Sequence, residues 1–181
     1  MSITLNVILI CAITAALTGI YLFFVLDKLP IVTPSPNYIE AFENLLKGAP
    51  STPNNKYLQA IVTVNGFEIK AYLAVTNEQH IKGLSIKNHL QENEGMFFVF
   101  ERPARYGFWM KDMKFPIDII WLNSNGTVIH VEKHLSPCQS NFQCPTYIPE
   151  KDSLYVLETV SGFSQKHNIT IGTHINFRMI R

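Results

Sequence analysis

Residues 57–64 and 67–75 are two strand-like runs, in which apolar and β-branched residues predominate and polar residues are interspersed. Asn65-Gly66 stands between the two runs, and this dipeptide is a strong signal for a two-residue hairpin turn. The pattern therefore predicts an antiparallel hairpin at the start of this part of the chain.

Further strand-like runs follow, separated by turn signals. Thr76 and Gln79 match a capping box, which predicts a short helix through about Ser85. Gly95 precedes residues 96–100, a run too apolar for a half-exposed strand and therefore predicted to be central. The other predicted elements are a second hairpin of residues 117–123 and 127–133 around Asn125-Gly126, a loop at 136–150, a strand at 154–160, a short helix or turn at 161–167, and strands at 169–171 and 174–180.

Many short strands with few helices indicate a mainly β (α+β) fold. We expect a compact antiparallel sheet that curls or closes like a barrel, with one or two short helices. Residues 57–181 are long enough to form such a domain with its own core.

The segment before this domain has a different pattern. Residues 3–26 contain no charged side chain, and this length is enough to span about 30 Å of hydrocarbon as a helix. A cleaved signal peptide is the alternative, but the run has no Lys or Arg before it and no clear small-residue cleavage site. Residues 1–28 are therefore predicted to be a single transmembrane anchor.

Residues 29–56 are predicted to be a linker, with prolines near both ends. Between the prolines, apolar residues at helical spacing predict a short amphipathic helix over residues 38–46. Such a helix can lie on the membrane surface, dock on a partner or pack on the domain that follows it.

Charge and cysteine usage narrow the class of protein. The net charge is +1 and no basic run is present, so nucleic-acid binding has no electrostatic support. Cys138 and Cys144 are close enough in sequence to form a small disulfide loop, which persists in an oxidising compartment. Asn125 and Asn168 begin glycosylation sequons. Together these features predict that the domain lies outside the cytoplasm. Cys138 and Cys144 lack the Cys-x-x-Cys spacing of redox-active cysteines, so a structural disulfide is expected.

Residues 108–118 combine large apolar side chains with closely spaced charges. Asp118 opens a buried strand, where a carboxylate must find hydrogen-bond donors or shift its pKa. It either pins a loop or belongs to an aromatic-lined cleft. The candidate ligand-binding residues are Trp109, Lys111, Asp118 and Glu158.

Residues 74–180 resemble the domain-of-unknown-function family 192, which is widespread in bacteria and archaea. The matching blocks are Gly83-Leu84, Gly95-Met96-Phe97-Phe98-Val99-Phe100, Phe108-Trp109-Met110-Lys111, Pro116-Ile117-Asp118-Ile119, Leu157-Glu158, Gly162 and Gly172. The resemblance implies a small β-rich domain of a kind that is often exported. Since the family has no established activity, the resemblance implies no reaction.

The chain departs from the family pattern at four places. His80 stands where the family has an Arg, Ser85 replaces a Met, Lys111-Asp112-Met113 stands where the family has Lys-Asn-Thr, and Thr173 replaces an Asp. An Arg in the first position would pair with a carboxylate such as Asp118 or Glu158, and with His80 that pair would depend on pH. A family site that needs an anion or a carboxylate would therefore be altered in this chain.

Two catalytic or metal chemistries are open alternatives. Asp112, Asp118 and Glu158 are candidates for a paired-carboxylate hydrolase, which requires two carboxyl groups about 5 to 9.5 Å apart. His130 and His134 with the two loop cysteines have the residue types of a zinc site. However, histidines four residues apart on a strand are about 13 Å apart, too far to share one ion without a bend, so no metal site is predicted. No cofactor is predicted either.

Three functions remain. The first is a binding or interaction domain at the outer face of the membrane, as an accessory subunit of a membrane-protein complex. The second is a small-ligand binding domain that uses the aromatic and carboxylate cleft. The third, a carboxylate-dependent hydrolase, is the least favoured.

Overall fold

The computed structural model describes residues 57–139 and 143–180. The predicted anchor, residues 1–28, and the linker, residues 29–56, lie outside these residues, so both stay predictions. Within the part of the chain that is described, no helix is long and apolar enough to cross a membrane.

Short strands are the main regular structure of the described chain. The strands are β1 Gln59–Val64, β2 Phe67–Ala74, β3 Glu94–Ala104, β4 Phe108–Trp109, β5 Ile117–Leu122, β6 Val128–Leu135, β7 Thr146–Tyr147, β8 Ser153–Val160 and β9 Ile175–Ile180; the helices are α1 Asn77–Lys82, a 3-10 helix at Gly83–Ile86, and α2 Phe163–Lys166. The prediction of a mainly β fold with two short helices is confirmed for these residues.

Seven strands form one mixed sheet in the order β6-β5-β8-β3-β2-β1-β9. The neighbours β2 and β3 are parallel, and the other neighbouring pairs are antiparallel. The sheet is therefore mixed: the expectation of an antiparallel sheet is confirmed for five of its six neighbouring pairs and is wrong for the pair of β2 and β3. The reason is that α1 and the 3-10 helix lie between β2 and β3 and return the chain to the same end of the sheet, as a parallel connection requires.

The sheet curls but does not close. Among the described residues, the edge strands β6 and β9 do not form a ladder with each other, and an isolated bridge links Thr127 with His174 just before the two strands begin. The amide of Val128 donates to the carbonyl of Thr173 (2.9 Å), and the amide of Ile175 donates to that of Gly126 (2.9 Å). These contacts join the two edges at one end of the sheet. The expectation of a curled sheet is therefore confirmed, whereas the expectation of a closed barrel is wrong.

Local turn and cap signals were reliable. Asn65 and Gly66 both have positive φ, as a tight hairpin turn requires. Thr76 and Gln79 form the predicted capping box at the start of α1. The predicted strand at residues 169–171 is wrong, because these residues form the turn between α2 and β9, in which the amide of Ile169 donates to the carbonyl of Ser164 (2.8 Å).

Hydrophobic clusters cover both faces of the sheet, since neighbouring residues of a strand point to opposite sides. Phe97 belongs to the cluster that includes Phe163 of α2. Phe98 belongs to the cluster that includes Leu84 of the 3-10 helix and Phe108 of β4. We call these the α2 face and the α1 face, and the candidate site lies on the α1 face.

Candidate binding site

Trp109 is presented at the surface by the short strand β4. Its neighbour Phe108 is buried, whereas Trp109 is 47% exposed. In a separate two-stranded ladder, Trp109 lies opposite Thr146 and Phe108 lies opposite Tyr147. Alternation along this strand therefore anchors one aromatic ring in the core and leaves the next one open to solvent.

A cleft of about 310 Å³ opens beside Trp109, and we call it the aromatic cleft. It is lined by His80, Ile81, Phe100, Tyr106, Gly107, Phe108, Trp109 and Thr146. Its walls thus come from α1, from β3 and the turn after it, and from the β4–β7 ladder.

The stacked rings of Phe100 and Tyr106 line the middle of the cleft. Their centroids are 3.5 Å apart and their planes differ by 9°. The hydroxyl of Tyr106 donates to the carbonyl of Arg102 (2.7 Å), and the indole Nε1 of Trp121 donates to the carbonyl of Tyr106 (2.9 Å). These two hydrogen bonds fix the position of Tyr106, so this part of the site is preformed.

A second cleft of about 320 Å³ shares His80, Phe100 and Tyr106 with the first. Its other lining residues are Val75, Asn77, Val99, Glu101 and Arg102. Because three residues line both, the clefts form a groove with an apolar end at Trp109 and a polar end at Glu101 and Arg102.

His80 separates the two halves of this groove. Its Nε2 lies 3.0 Å from the carbonyl oxygen of Ala74, and its ring centroid lies 4.5 Å from that of Phe100. Burial lowers the pKa of His80, and the backbone hydrogen bonds to Ala74 and Val99 and the charge of Glu101 only partly oppose this effect. His80 is therefore mainly neutral at pH 7, and it contacts these backbone groups and the neighbouring aromatic rings instead of pairing with Asp118 or Glu158.

Lys111 lies beside Trp109, as the sequence pattern suggested. Its Nζ is 5.7 Å from the centroid of the Trp109 ring, a cation–π geometry. Both side chains are exposed, so they are available to a binding partner together.

Asp118 pins loops instead of lining the cleft. Its carboxylate is fully buried and accepts hydrogen bonds from the amides of His134 (2.9 Å), Gly162 (3.1 Å) and Ser164 (2.9 Å). These contacts tie the end of β6 to the start of α2. The loop-pinning interpretation of Asp118 therefore describes its contacts.

Glu158 is buried beneath the junction of α1 and the 3-10 helix. It is 3% exposed and accepts a hydrogen bond from the amide of Leu84 (3.3 Å). A Cβ atom on Gly83 would lie 3.5 Å from Glu158 Oε2. Burial raises the pKa of Glu158 to about 8, and the Leu84 hydrogen bond opposes the rise, so the carboxyl group is mainly protonated at pH 7.

The two carboxyl groups lie on opposite faces of the sheet. Asp118 is the register partner of Thr159, and Ile119 is the register partner of Glu158. Since neighbouring residues of a strand alternate in direction, Asp118 points to the α2 face and Glu158 to the α1 face. The predicted cleft between Trp109, Lys111, Asp118 and Glu158 therefore does not assemble, and Asp118 and Glu158 do not form a paired-carboxylate site.

Cys138 and Cys144 form the predicted disulfide. His130 Nε2 lies 3.0 Å from Glu132 Oε1, and His134 Nδ1 lies 2.9 Å from Ser161 Oγ. The four side chains considered for zinc thus have other partners. Within the described ranges, no group of three or more His, Cys, Asp or Glu side chains is placed to hold a metal ion.

Both sequon residues, Asn125 and Asn168, are exposed. Of the positions that depart from the family pattern, Ser85 Oγ donates to the carbonyl of Lys82 (2.6 Å), and Thr173 Oγ1 accepts from the amide of Thr170 (3.0 Å). Asp112 adopts a positive φ of 59° in the turn after Lys111. These three residues have local structural roles and do not line the groove.

Tyr106, Ile81 and Thr146 were not singled out from the sequence. Ile81 had a detectable signal, because it is the single aliphatic residue of α1, Asn77–Lys82. Tyr106 and Thr146 had none, since their place in the cleft depends on contacts between distant segments.

Comparison with known proteins gives a family and a fold. No curated protein matches the chain. A candidate transcription regulator from Sinorhizobium meliloti has a similar structure, with a TM-score of 0.62 and 23% identity over 67% of this chain and 95% of the other. A protein of unknown function from Novosphingobium aromaticivorans has a TM-score of 0.60 and 25% identity over 69% of this chain and 89% of the other. Residues 60–177 match the family described as "Uncharacterized ACR". The chain belongs to this family, the domain-of-unknown-function family 192.

Proposed function

We propose that the chain is a membrane-anchored binding domain whose aromatic cleft takes an apolar segment of a partner protein outside the cytoplasm. One observation carries this proposal: Trp109 is 47% exposed and Ile81 is 68% exposed, and both border the same ring-lined cleft. Apolar side chains clustered around an open cleft are typical of interaction sites, and Trp is among the residues that contribute most to binding.

The rim of the cleft adds to this apolar surface. Ile148 is 48% exposed. It lies close to Gly107, because a Cβ atom on Gly107 would lie 3.2 Å from Ile148 Cγ1. An apolar side chain of a partner would therefore be surrounded by Ile81, Trp109 and Ile148 while it contacts the rings of Phe100 and Tyr106.

The membrane placement depends on other features. The apolar run at residues 3–26 supports an anchor, and the Cys138–Cys144 disulfide supports an oxidising compartment. Labelling of intact cells with a membrane-impermeant lysine reagent tests this placement. Protection of the domain from the reagent would contradict it.

A small aromatic ligand is the second candidate. The cleft volume of about 310 Å³ lies at the lower end of the range for ligand pockets, which suits a single ring system. The hydrolase alternative is not carried further, because Asp118 and Glu158 point to opposite faces of the sheet.

Photo-crosslinking separates the two candidates. We would place p-benzoylphenylalanine at Ile81 in the full chain and irradiate it in its own membranes, with the same substitution at Ile171 as the matched control. Ile171 is 70% exposed and lies outside the aromatic cleft. A protein adduct at Ile81 that is absent at Ile171 supports the partner proposal. Adducts that are equal at both sites would contradict it, and a lack of adducts would favour the small ligand.

A further inference from the structure

The disulfide lies beside the strand that carries Trp109. The amide of Cys138 donates to the carbonyl of Met110 (2.9 Å), and the amide of Asp112 donates to the carbonyl of Cys138 (3.2 Å). Lys111 and Cys138 form an isolated parallel bridge. Cys138 is therefore hydrogen-bonded to Met110 and Asp112, which follow Trp109 closely in the chain.

The other cysteine lies next to the opposite wall of the cleft. Cys144 precedes Thr146 by two residues, and Thr146 pairs with Trp109 and lines the aromatic cleft. The covalent bond thus closes a ring of contacts that runs from Trp109 through Lys111, Cys138 and Cys144 to Thr146 and back to Trp109.

The weak connection in this ring of contacts is the β4–β7 ladder. The β4–β7 ladder has only two residue pairs and is separate from the main sheet. An isolated two-stranded ladder is marginally stable at best in water, even when it is longer than this one. The covalent bond restricts the positions that Thr146 can adopt, since it fixes the chain two residues away.

We propose that Cys138 and Cys144 are positioning residues for the aromatic cleft, so that the site becomes competent to bind only after the two thiols are oxidised. This inference rests on the proposed function and adds a regulation of the same site. Reduction frees Thr146 from its place opposite Trp109, and the cleft loses that wall.

The oxidation is a thiol–disulfide exchange. The thiolate of one cysteine attacks a disulfide-containing oxidant to form a mixed disulfide. The thiolate of the other cysteine then displaces the oxidant, which leaves as a dithiol. The two electrons pass to the oxidant, and the two thiol protons are released or taken up by its thiolates. A domain exported through the membrane would meet such an oxidant only after translocation.

The test uses the full chain in detergent and compares oxidised protein, reduced protein and the double variant Cys138→Ser/Cys144→Ser. Cys11→Ser is the matched control, because it removes the third cysteine and leaves the disulfide intact. The readouts are acrylamide quenching of Trp109 fluorescence and the affinity for 8-anilinonaphthalene-1-sulfonate, an aromatic probe. A Trp109→Phe variant supplies the baseline from Trp121, which is fully buried. All measurements are made well below the melting temperature of each protein.

We expect reduction and the double variant to raise the quenching constant of Trp109 about twofold and to weaken probe binding about tenfold or more. The quenching constant of Trp121 should not change, whereas a general loss of structure would expose Trp121 and raise its quenching constant too. Equal quenching and equal affinity in the oxidised protein and the folded double variant would overturn the inference. Probe binding that Trp109→Phe leaves unchanged would count against the cleft as the site of the proposed function, and the quenching comparison would still decide the role of the disulfide.

Discussion

Asp118 and Glu158 lie on adjacent strands, one residue out of register, yet their surroundings differ in kind. The side chain of Asp118 accepts three backbone hydrogen bonds, from the amides of His134, Gly162 and Ser164. Glu158 accepts one long hydrogen bond and is otherwise enclosed by apolar groups, which favours its neutral form. Asp118 therefore ties separate segments of the chain together, whereas the carboxyl group of Glu158 is buried mainly in its neutral form at pH 7.

Glu158 should make stability depend on pH. Its folded pKa of about 8 lies above the ordinary value of 4.5, so the folded state binds more protons than the unfolded state between these values. Stability should fall as pH rises through this window, by about 2 to 3 kcal/mol between pH 5 and pH 7. We expect Glu158→Gln to remove this dependence while Gln still accepts from Leu84. Urea unfolding at a series of pH values measures it.

The exposed residue Glu150 provides the control for that experiment. Glu150→Gln should leave the pH dependence of the wild type unchanged. A Glu158→Gln variant that keeps the wild-type slope would show that another group causes it.

Asp118→Asn should destabilise the fold. An Asn side chain offers one acceptor oxygen in place of two, and its amide group would face backbone N–H donors that are already buried. We expect a loss of about 3 kcal/mol in the free energy of unfolding, because buried backbone N–H groups would lose their acceptor. Thermal or urea unfolding at pH 7 provides the value.

Asp112→Asn is the matched control, since Asp112 is exposed and Asn tolerates its positive φ. It should change stability by less than about 0.5 kcal/mol. Equal effects of the two substitutions would contradict the role assigned to the Asp118 hydrogen bonds.

The sequence identified both carboxyl groups as unusual but did not reveal that they point apart. A shift of one residue in strand register moves a side chain to the other face of a sheet, and register between β5 and β8 depends on distant pairing. Trp109 and Lys111 are two residues apart, so their proximity could be predicted from the sequence. The positions of Asp118 and Glu158 relative to them depend on strand register and could not.

At the scale of elements, the position of β7 controls the width of the aromatic cleft. Gly107 allows β7 to approach β4 closely, because a Cβ atom at this position would lie 2.7 Å from Thr146 Cγ2. Such a contact is too short to exist, so any larger residue at position 107 must displace the wall that Thr146 provides.

Gly107→Ala should therefore move β7 without changing the cysteines. We expect probe affinity to fall about tenfold, while the melting temperature changes little because the β4–β7 ladder is separate from the main sheet. Titration with 8-anilinonaphthalene-1-sulfonate checks the affinity, and calorimetry checks the melting temperature. Wild-type affinity in this variant would show that the wall does not shape the site.

Elements that depend on neighbouring residues were predictable, and elements that depend on distant ones were not. Asn65-Gly66 and the Thr76–Gln79 capping box act within a few residues, so their hairpin and helix were found. The parallel pairing of β2 with β3 and the β4–β7 ladder join segments separated by a helix or a long loop. No local pattern distinguishes those pairings from their alternatives, and the same limit hid Thr146 from the predicted site.

At the scale of the whole molecule, an aromatic cleft on a domain that is predicted to be anchored to a membrane suggests a protein partner held in the same membrane. An anchored domain meets such a partner at high effective concentration, so a small cleft is sufficient for a stable contact. This is consistent with the proposal of an accessory subunit, in which the cleft provides the specific contact.

The most direct test of the cleft as a binding site is native-gel migration of protein gently extracted from its own membranes, with mass spectrometry of the proteins that migrate with it. Wild type, Trp109→Ala and the exposed control Ile171→Ala would be compared. We predict that wild type and Ile171→Ala migrate with the same defined partner, whereas Trp109→Ala migrates as a single small species at an unchanged melting temperature. Migration of Trp109→Ala in the same assembly as the wild type would contradict the assignment of the cleft as the binding site.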